Sequence, residues 1–369
     1  MGAFNSLEIK NITRETPQAV SLCFEVTQDL KKAYIFFAGQ YLTLEAEIDG
    51  DAVRRDYSIS ASPESGDLTV TIKEIERGLF STFANQTLKK GDIIRVATPK
   101  GDYQGTIKTI VELVTFLEEK TGEKGTVGIG IPGTLSPKTG LVKNANSTWL
   151  NGKPFNLDVM QALSREVRFA NDANCLAVSE AVDGAGQGKQ MVFAVILGTG
   201  SGSGIAINAK VHSGQHGIAG EWGHNTLNYL EADEYPGPDC YCGQKGCIET
   251  FVSGTGFELE YQKQTGVHKT GPEIMELQKN GDALAERVLK RYESRLSRGL
   301  AMVANLLDPD IFVLGGGMSN IERLYQTLPK MIPEWTFGKE FSTPIAPAKH
   351  GDSSGVRGAA WLWNDDLDF

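Results

Sequence analysis

Val192-Phe193-Ala194-Val195-Ile196-Leu197 runs straight into Gly198-Thr199-Gly200-Ser201-Gly202-Ser203-Gly204 and then Ile205-Ala206-Ile207-Asn208. Six apolar residues without a polar break read as a buried strand. The glycine-rich turn predicts a hairpin, with 205–208 as the returning strand. Two readings of the turn stay open on the residues alone. Its glycines and hydroxyls suit backbone N–H groups aimed at a phosphate, or they simply let a tight hairpin close. Two nucleotide loops are excluded: no Gly-x-Gly-x-x-Gly spacing precedes a helix, and no Gly-Lys-Ser/Thr ends the run.

Outward from this hairpin, strands and helices alternate. Upstream, 106–121 has helical periodicity, with Ile107, Ile110, Val111, Val114 and Leu117 on one face. A buried strand follows over 125–131, closed by a Gly/Pro loop at Pro132-Gly133; 157–166 reads as a helix and 167–170 as a strand. Downstream, 283–307 is a long amphipathic helix. Residues 311–314 form another buried strand, ending in Gly315-Gly316-Gly317, where open α/β sheets bind ligands. The alternation sets the fold class as α/β. The first hundred residues differ. Runs at 19–26, 41–48, 55–61 and 68–75 alternate apolar and polar residues, with breaks at Asp49-Gly50 and Ser65-Gly66-Asp67. Short strands so spaced predict a small antiparallel β-barrel.

With 369 residues, two or three domains are expected. Hydrophobic residues at 40% and charged residues at 22% are ordinary for a globular chain. A net charge of -10 argues against nucleic acid as the main partner. No run of about 18 apolar residues marks a membrane span. The opening ten residues lack a basic-then-apolar leader pattern, so a cytoplasmic setting with reduced thiols is expected.

His224, Cys240, Cys242 and Cys247 lie within one short stretch, with Gly243 and Gly246 between the last two cysteines. A Cys₃His set fills tetrahedral Zn²⁺ and leaves no open position, so a structural metal is expected rather than a catalytic one. Asn171-Asp172-Ala173-Asn174 follows the 167–170 strand. Asp172 suits a general base and Asn171 a hydroxyl-binding amide, although the same four residues also spell a helix cap or Asx-turn. Glu221 stands three residues before His224. It suits sugar hydroxyls, with His224 giving one ring nitrogen to the metal and the other to the sugar; a solvated acid is the plainer alternative for Glu221.

Taken in order, these pieces resemble the ROK (repressor, open reading frame, kinase) family. The carriers are Gly130-Ile131-Pro132-Gly133, Asn146, Asn171-Asp172-Ala173-Asn174, Gly198-Thr199-Gly200, Gly220-Glu221-Trp222-Gly223-His224, the cysteine run to Glu249, and Leu314 with the three glycines after it. Residues 144–149 and 349–360 look most like bacterial fructokinases and manno(fructo)kinases. The resemblance implies an actin-like ATPase (ribonuclease H-like) fold of two lobes. It implies ATP-dependent phosphorylation of fructose or mannose at the 6-hydroxyl, with Mg²⁺ accompanying ATP. Asp172 would be the general base. Gly133, Asn146, Asn171, Glu221, His224 and Glu249 would contact the sugar. Thr199, Gly200 and Gly315 to Gly317 would contact ATP. Zinc would order the sugar loop, and a homodimer is the family expectation.

One family element is missing. ROK kinases open with a hairpin carrying Asp-x-Gly-Gly-Thr-Lys, and no such sequence occurs in this chain. In its place, residues 1 to about 103 resemble the FAD-binding barrel of ferredoxin–NADP⁺ reductases, notably the reductase subunit of phenylacetyl-CoA epoxidase. Ala38-Gly39-Gln40-Tyr41, Arg55-Asp56-Tyr57-Ser58 and Gly78-Leu79-Phe80-Ser81-Thr82 carry that likeness. It implies that Arg55, Tyr57, Ser58, Gly78, Ser81 and Thr82 contact FAD. No NAD(P)H domain follows. Residues 91–103 suit the last barrel strand and, from Arg95 on, the kinase too. The expected domains are therefore a barrel over 1–98 and a kinase lacking its first hairpin over 99–369. The kinase is expected to be impaired; the alternative is a flavin module fused to an inactive kinase fragment. A ROK-type repressor is disfavoured because the start is acidic and β-rich, not a basic winged helix.

Overall fold

The computed structural model describes residues 4–31, 33–36, 40–48, 50–75, 78–97, 103–145 and 147–364. Asn146, Ala38-Gly39 and the junction at 98–102 lie outside these. Contacts divide the chain into two compact units: Met1–Glu123 with Asn144–Ser164, and Lys124–Lys143 with Arg165–Phe369.

The first unit opens with β1 (Phe4–Thr16), β2 (Ala19–Glu25), β3 (Tyr41–Ile48), β4 (Asp51–Ser58), β5 (Leu68–Lys73), α1 (Leu79–Gln86) and β6 (Ile93–Ala97). The sheet order is β4-β3-β6-β1-β2-β5, with every neighbouring pair antiparallel. A bridge from Ile59, just past β4, to Val70 of β5 joins the two edges, so the sheet closes on itself. Period-two alternation places Leu7, Ile9, Val20, Leu22, Leu42, Leu44, Val70, Ile72 and Val96 inside, and Phe80 of α1 plugs the same core. The β1 strand escapes the sequence reading because its outer face is almost wholly polar, from Glu8 to Arg14. Two helices complete this unit, α2 (Tyr103–Thr121) and α3 (Phe155–Leu163), joined by a 2.5 Å hydrogen bond from the Tyr103 hydroxyl to Asp158 Oδ2. The helix expected to run to 166 ends earlier, since Ser164 adopts a left-handed conformation. On α2 only Ile107 of the expected apolar face is fully buried.

The second unit holds two sheets and a β8–β9 hairpin (Thr134–Leu135 and Val142–Lys143). In the smaller sheet, β7 (Val127–Ile131) pairs in parallel with β10 (Val167–Asn171). β10 leads into α4 (Asp172–Val182). In the larger sheet the order is β13-β12-β11-β14-β15, from β11 (Met191–Leu197), β12 (Ser201–Ile207), β13 (Lys210–Val211), β14 (Ile311–Gly315) and β15 (Ile345–Pro347). β11 runs antiparallel to β12 and parallel to β14. Around them lie α5 (Glu249–Val252), α6 (Gly254–Thr265), α7 (Gly271–Lys279), α8 (Ala283–Leu307), α9 (Leu324–Met331) and α10 (Ser354–Ala360). The long helix expected at 283–307 is α8, capped by Asp282, whose carboxylate accepts from Leu284 and Ala285 N–H.

Two expectations are corrected here. The returning strand begins at Ser201, not 205, so Gly202 and Gly204 are strand residues. Gly204 is there for close approach: a Cβ would fall 2.1 Å from Ala173 O of α4. β7, expected to be buried, is mostly half-buried, because among the described residues it pairs with β10 alone. Its face is closed by α10, which passes so near that a Cβ on Gly128 would stand 1.8 Å from Ala359 O.

Candidate functional site

Asn171 ends β10 and caps α4. Its Oδ1 accepts from Ala173 N–H at 2.9 Å, and its Nδ2 donates to Gly133 O at 2.9 Å. The cap reading of this motif is therefore realised, and both polar atoms of the amide are engaged. The same bond ties the Gly/Pro loop after β7 to the start of α4. Asp172 is the first residue of α4, and its Oδ1 also accepts from Ala173 N–H at 2.8 Å. It is open to water yet ringed by protein, and desolvation pushes its carboxyl above the usual carboxylate range. Beside it, burial pushes the Cys175 thiol up to about 12, with the charge of Asp172 adding to the rise.

Two glycines carry the backbone from Asp172 toward Glu221. At Gly204, β12 lies against the first turn of α4. On the other side, Gly220 has φ +92 and lies on β12, where a Cβ would stand 2.6 Å from Ser203 O. The Ser203 hydroxyl donates to Gly220 O at 2.6 Å. Glu221 follows, exposed, its carboxylate without a partner among the described residues. The β8–β9 hairpin meets the same loop, with Lys143 Nζ donating to His216 O at 2.9 Å. Gly133, Asn171, Asp172 and Glu221 thus belong to one connected set of backbone segments.

His224, Cys240, Cys242 and Cys247 each turn one ligand atom inward, all within 4.8 Å of one another. Cys242 Sγ and Cys247 Sγ are 3.6 Å apart, and Cys240 Sγ lies 3.5 Å from His224 Nδ1. A tetrahedron with metal–sulfur bonds of ~2.3 Å has edges of roughly 3.8 Å, so the donor set and its spacing fit a Zn²⁺-sized ion. The other ring nitrogen of His224, expected to point at a sugar, lies 2.9 Å from the Tyr241 hydroxyl. A partner on the second nitrogen of this kind fixes the ring. Tyr241 sits inside the cysteine motif, and sequence reasoning passed over it as a spacer.

The two glycine turns fall at the same end of the larger sheet, beyond the carboxyl ends of β11 and β14, because these strands are parallel neighbours. Thr199 is exposed at the tip of the first turn, where Gly198 N–H donates to Gly200 O at 3.0 Å. Gly316 has φ +81, and a Cβ there would stand 2.7 Å from Leu197 O, so the second turn lies on the end of β11. Gly315 and Gly317 flank it.

In the barrel, Arg55 and Tyr57 point to one side of β4 and Ser58 to the other. The Tyr57 ring packs 5.7 Å from Phe80, which links β4 to α1. Gly78 precedes α1 in a turn so tight that a Cβ would meet Ser81 Oγ at 2.3 Å. The Ser81 hydroxyl is spent locally, accepting from Ile75 N–H and donating to Gly78 O. Thr82 N–H donates to Gly78 O at 2.8 Å.

Sequence reasoning also missed a buried ionic cluster beside the metal loop. Glu234 stands just ahead of that loop, and it accepts from Arg295 at 2.7 Å and from Arg298 at 2.8 and 2.9 Å. Burial alone would raise its carboxyl, but the two guanidinium groups outweigh burial and hold it at about 2. The only sequence signal is one of spacing: Arg291, Arg295 and Arg298 recur along one face of α8.

Residues 80–366 match the ROK family, and residues 6–104 match the oxidoreductase FAD-binding domain. An N-acetyl-D-glucosamine kinase of Haemophilus influenzae is 43% identical over 295 residues, covering 79% of this chain and 96% of that protein. One from Vibrio cholerae is 39% identical over 293 residues, 78% of this chain and 96% of its own length. The crystal structure of a ROK hexokinase from Thermus thermophilus superposes with a TM-score of 0.64 at 28% identity, over 73% of this chain and 89% of that one. Both family matches claim residues 80–104; the structure gives α1 and β6, within that overlap, to the barrel. No described helix is long and apolar enough to cross a membrane. The chain therefore belongs to the ROK family of sugar kinases, and an oxidoreductase FAD-binding domain is fused ahead of its kinase region.

Proposed function

We propose that this chain phosphorylates the 6-hydroxyl of a hexose with MgATP as second substrate, at a rate well below that of a complete kinase. The observation that carries the reading is the placement of Asp172 at the start of α4, one strand away from Gly220-Glu221 and the Cys₃His quartet. Asp172 accepts the proton of the sugar alcohol, and its raised carboxyl makes it a better base than a solvated aspartate. Gly133, Asn146, Asn171, Glu221, His224 and Glu249 hold the sugar. Asn171 and His224 exchange a present partner for a sugar hydroxyl as they do so. Thr199 and Gly200 approach the phosphates, and Gly315 to Gly317 the adenosine. His224, Cys240, Cys242 and Cys247 hold zinc, whose closed coordination shell lends order and no reactive position. The names of the relatives favour N-acetyl-D-glucosamine as acceptor, where motif details favour fructose or mannose. The kinase domain is taken as 99–369 and the barrel as 1–98. A homodimer in the cytoplasm is the setting that fits this reading.

The rate is low because the Asp-x-Gly-Gly-Thr-Lys loop is missing from the chain, which leaves the phosphates to Thr199 and Gly200. Lost phosphate contacts of this kind cost several kcal/mol of transition-state stabilisation, so turnover should fall at least about a thousandfold. A coupled ADP-release assay over N-acetyl-D-glucosamine, fructose and mannose tests this, with the Haemophilus influenzae relative alongside. Ordinary turnover sinks the impairment. Residual turnover that survives Asp172→Asn sinks the base assignment.

A second reading is favoured by the closed barrel and its family match. FAD binds the first unit, with Arg55, Ser81 and Thr82 at the pyrophosphate and Tyr57 and Ser58 at the ring. The exposed guanidinium and the glycine turn opening α1 are donors that fit an anion. Flavin absorbance retained after gel filtration with added FAD supports it, and its complete absence refutes it.

A further inference from the structure

The metal quartet and the first glycine turn are gripped by one short segment. Two residues after Cys247, Glu249 opens α5, and α5 hands over to α6 at Ser253-Gly254. Ser201 N–H donates to Glu249 Oε2 at 3.0 Å, and Gly254 N–H donates to Gly198 O at 2.7 Å. The other carboxylate oxygen of Glu249 lies 4.0 Å from Cys240 Sγ. The fit around this carboxylate is close. A Cβ on Gly200 would stand 2.6 Å from Glu249 Oε2, and one on Gly223 would stand 2.1 Å from Ser201 O and 3.5 Å from Glu249 Cβ. The quartet is in turn stitched to its own flanks. Leu227 N–H donates to Gly246 O, and Ile248 N–H donates to Asn225 O, which binds the strand of chain after His224 to the last cysteine.

We infer that Glu249 is a positioning residue that transmits the order of the metal loop to the glycine turn. Its carboxylate holds the Ser201 amide in place while its own backbone is set by Cys247. This role rests on the metal and phosphate readings proposed above and adds to the sugar contact proposed for the same side chain. A rival account is that the core alone fixes Glu249, since Phe251 and Val252 of α5 are buried regardless of any metal. The two accounts differ in what happens when the metal is removed.

The test uses the full chain, its zinc content measured by elemental analysis, and hydrogen exchange of the backbone amides over 198–204 before and after stripping with a chelator. Stripping should speed exchange at Ser201 at least about tenfold, the factor set by losing one hydrogen bond to a charged acceptor. Glu249→Ala should give the same acceleration with zinc still bound. Glu249→Gln, whose side-chain carbonyl still accepts from Ser201, should keep the amide protected and keep its response to stripping. Exchange at Ser201 that ignores metal removal in a zinc-loaded chain overturns the coupling and leaves the metal reading standing. A zinc-loaded Glu249→Gln chain that exchanges as fast as Glu249→Ala overturns it too. A chain that holds no stoichiometric zinc sinks both readings together.

Discussion

Two strands of the second unit have similar apolar sequences and different fates. β11 has neighbours on both edges, and Val192, Phe193, Ala194, Val195 and Leu197 are at most 2% exposed. β7 has β10 on one edge among the described residues, and of its five residues only Ile131 is buried. Burial of a strand is thus conferred by its neighbours, and a run of apolar residues states only that neighbours are needed. The opening hairpin of the family is missing from this chain, and β7 has a single paired edge among the described residues.

Substitutions can break or sharpen that contrast. The largest effect should come from Glu234→Ala, which leaves Arg298 buried without a carboxylate and Arg295 with Glu260 alone, and costs about 3–5 kcal/mol in chemical denaturation. Acid should find the same weakness. Glu234 and Glu286 are both held at about 2, Glu234 against burial by Arg298 and Arg295, and Glu286 by its hydrogen bonds from Arg323. Depressed carboxylates contribute stability above their unfolded value, and they lose it as pH falls from about 4.5 toward about 2, so a melting series should decline across that window. Leu314→Ala on β14, fully buried in the larger sheet, should cost about 2–5 kcal/mol. Asn171→Ala removes the cap of α4 and should cost about 1 kcal/mol. Ile129→Ala on β7 should be smallest, about 1 kcal/mol or less, because the side chain is already half-exposed. A cost at Ile129 equal to that at Leu314 would erase the contrast between the two sheets.

The sequence made the kinase architecture legible wherever it carried strong punctuation. The Cys240–Cys247 motif, the capped β10–α4 turn and the glycine turn after β14 all fall where spacing put them, the first glycine turn is shorter than expected, and α8 matches its predicted bounds to the residue. What stayed hidden depends on contacts between distant segments. Gly204 and Gly220 look like loop residues until α4, β12 and the 220–224 segment are seen to press together through them. Tyr241 is a spacer until its hydroxyl meets His224. β1 has too few apolar residues on its outer side to announce itself, and only pairing with β2 and β6 makes it a strand.

The bridge between Ile59 and Val70 has a consequence for how this chain is made. A sheet that closes on itself satisfies its own backbone groups, and N-terminal domains fold first during synthesis. By the time Val127 leaves the ribosome, α1 and β6 are already locked into a finished cylinder. The nascent kinase therefore emerges after the barrel strands have paired among themselves, and no later rearrangement short of unfolding the barrel frees residues 80–97.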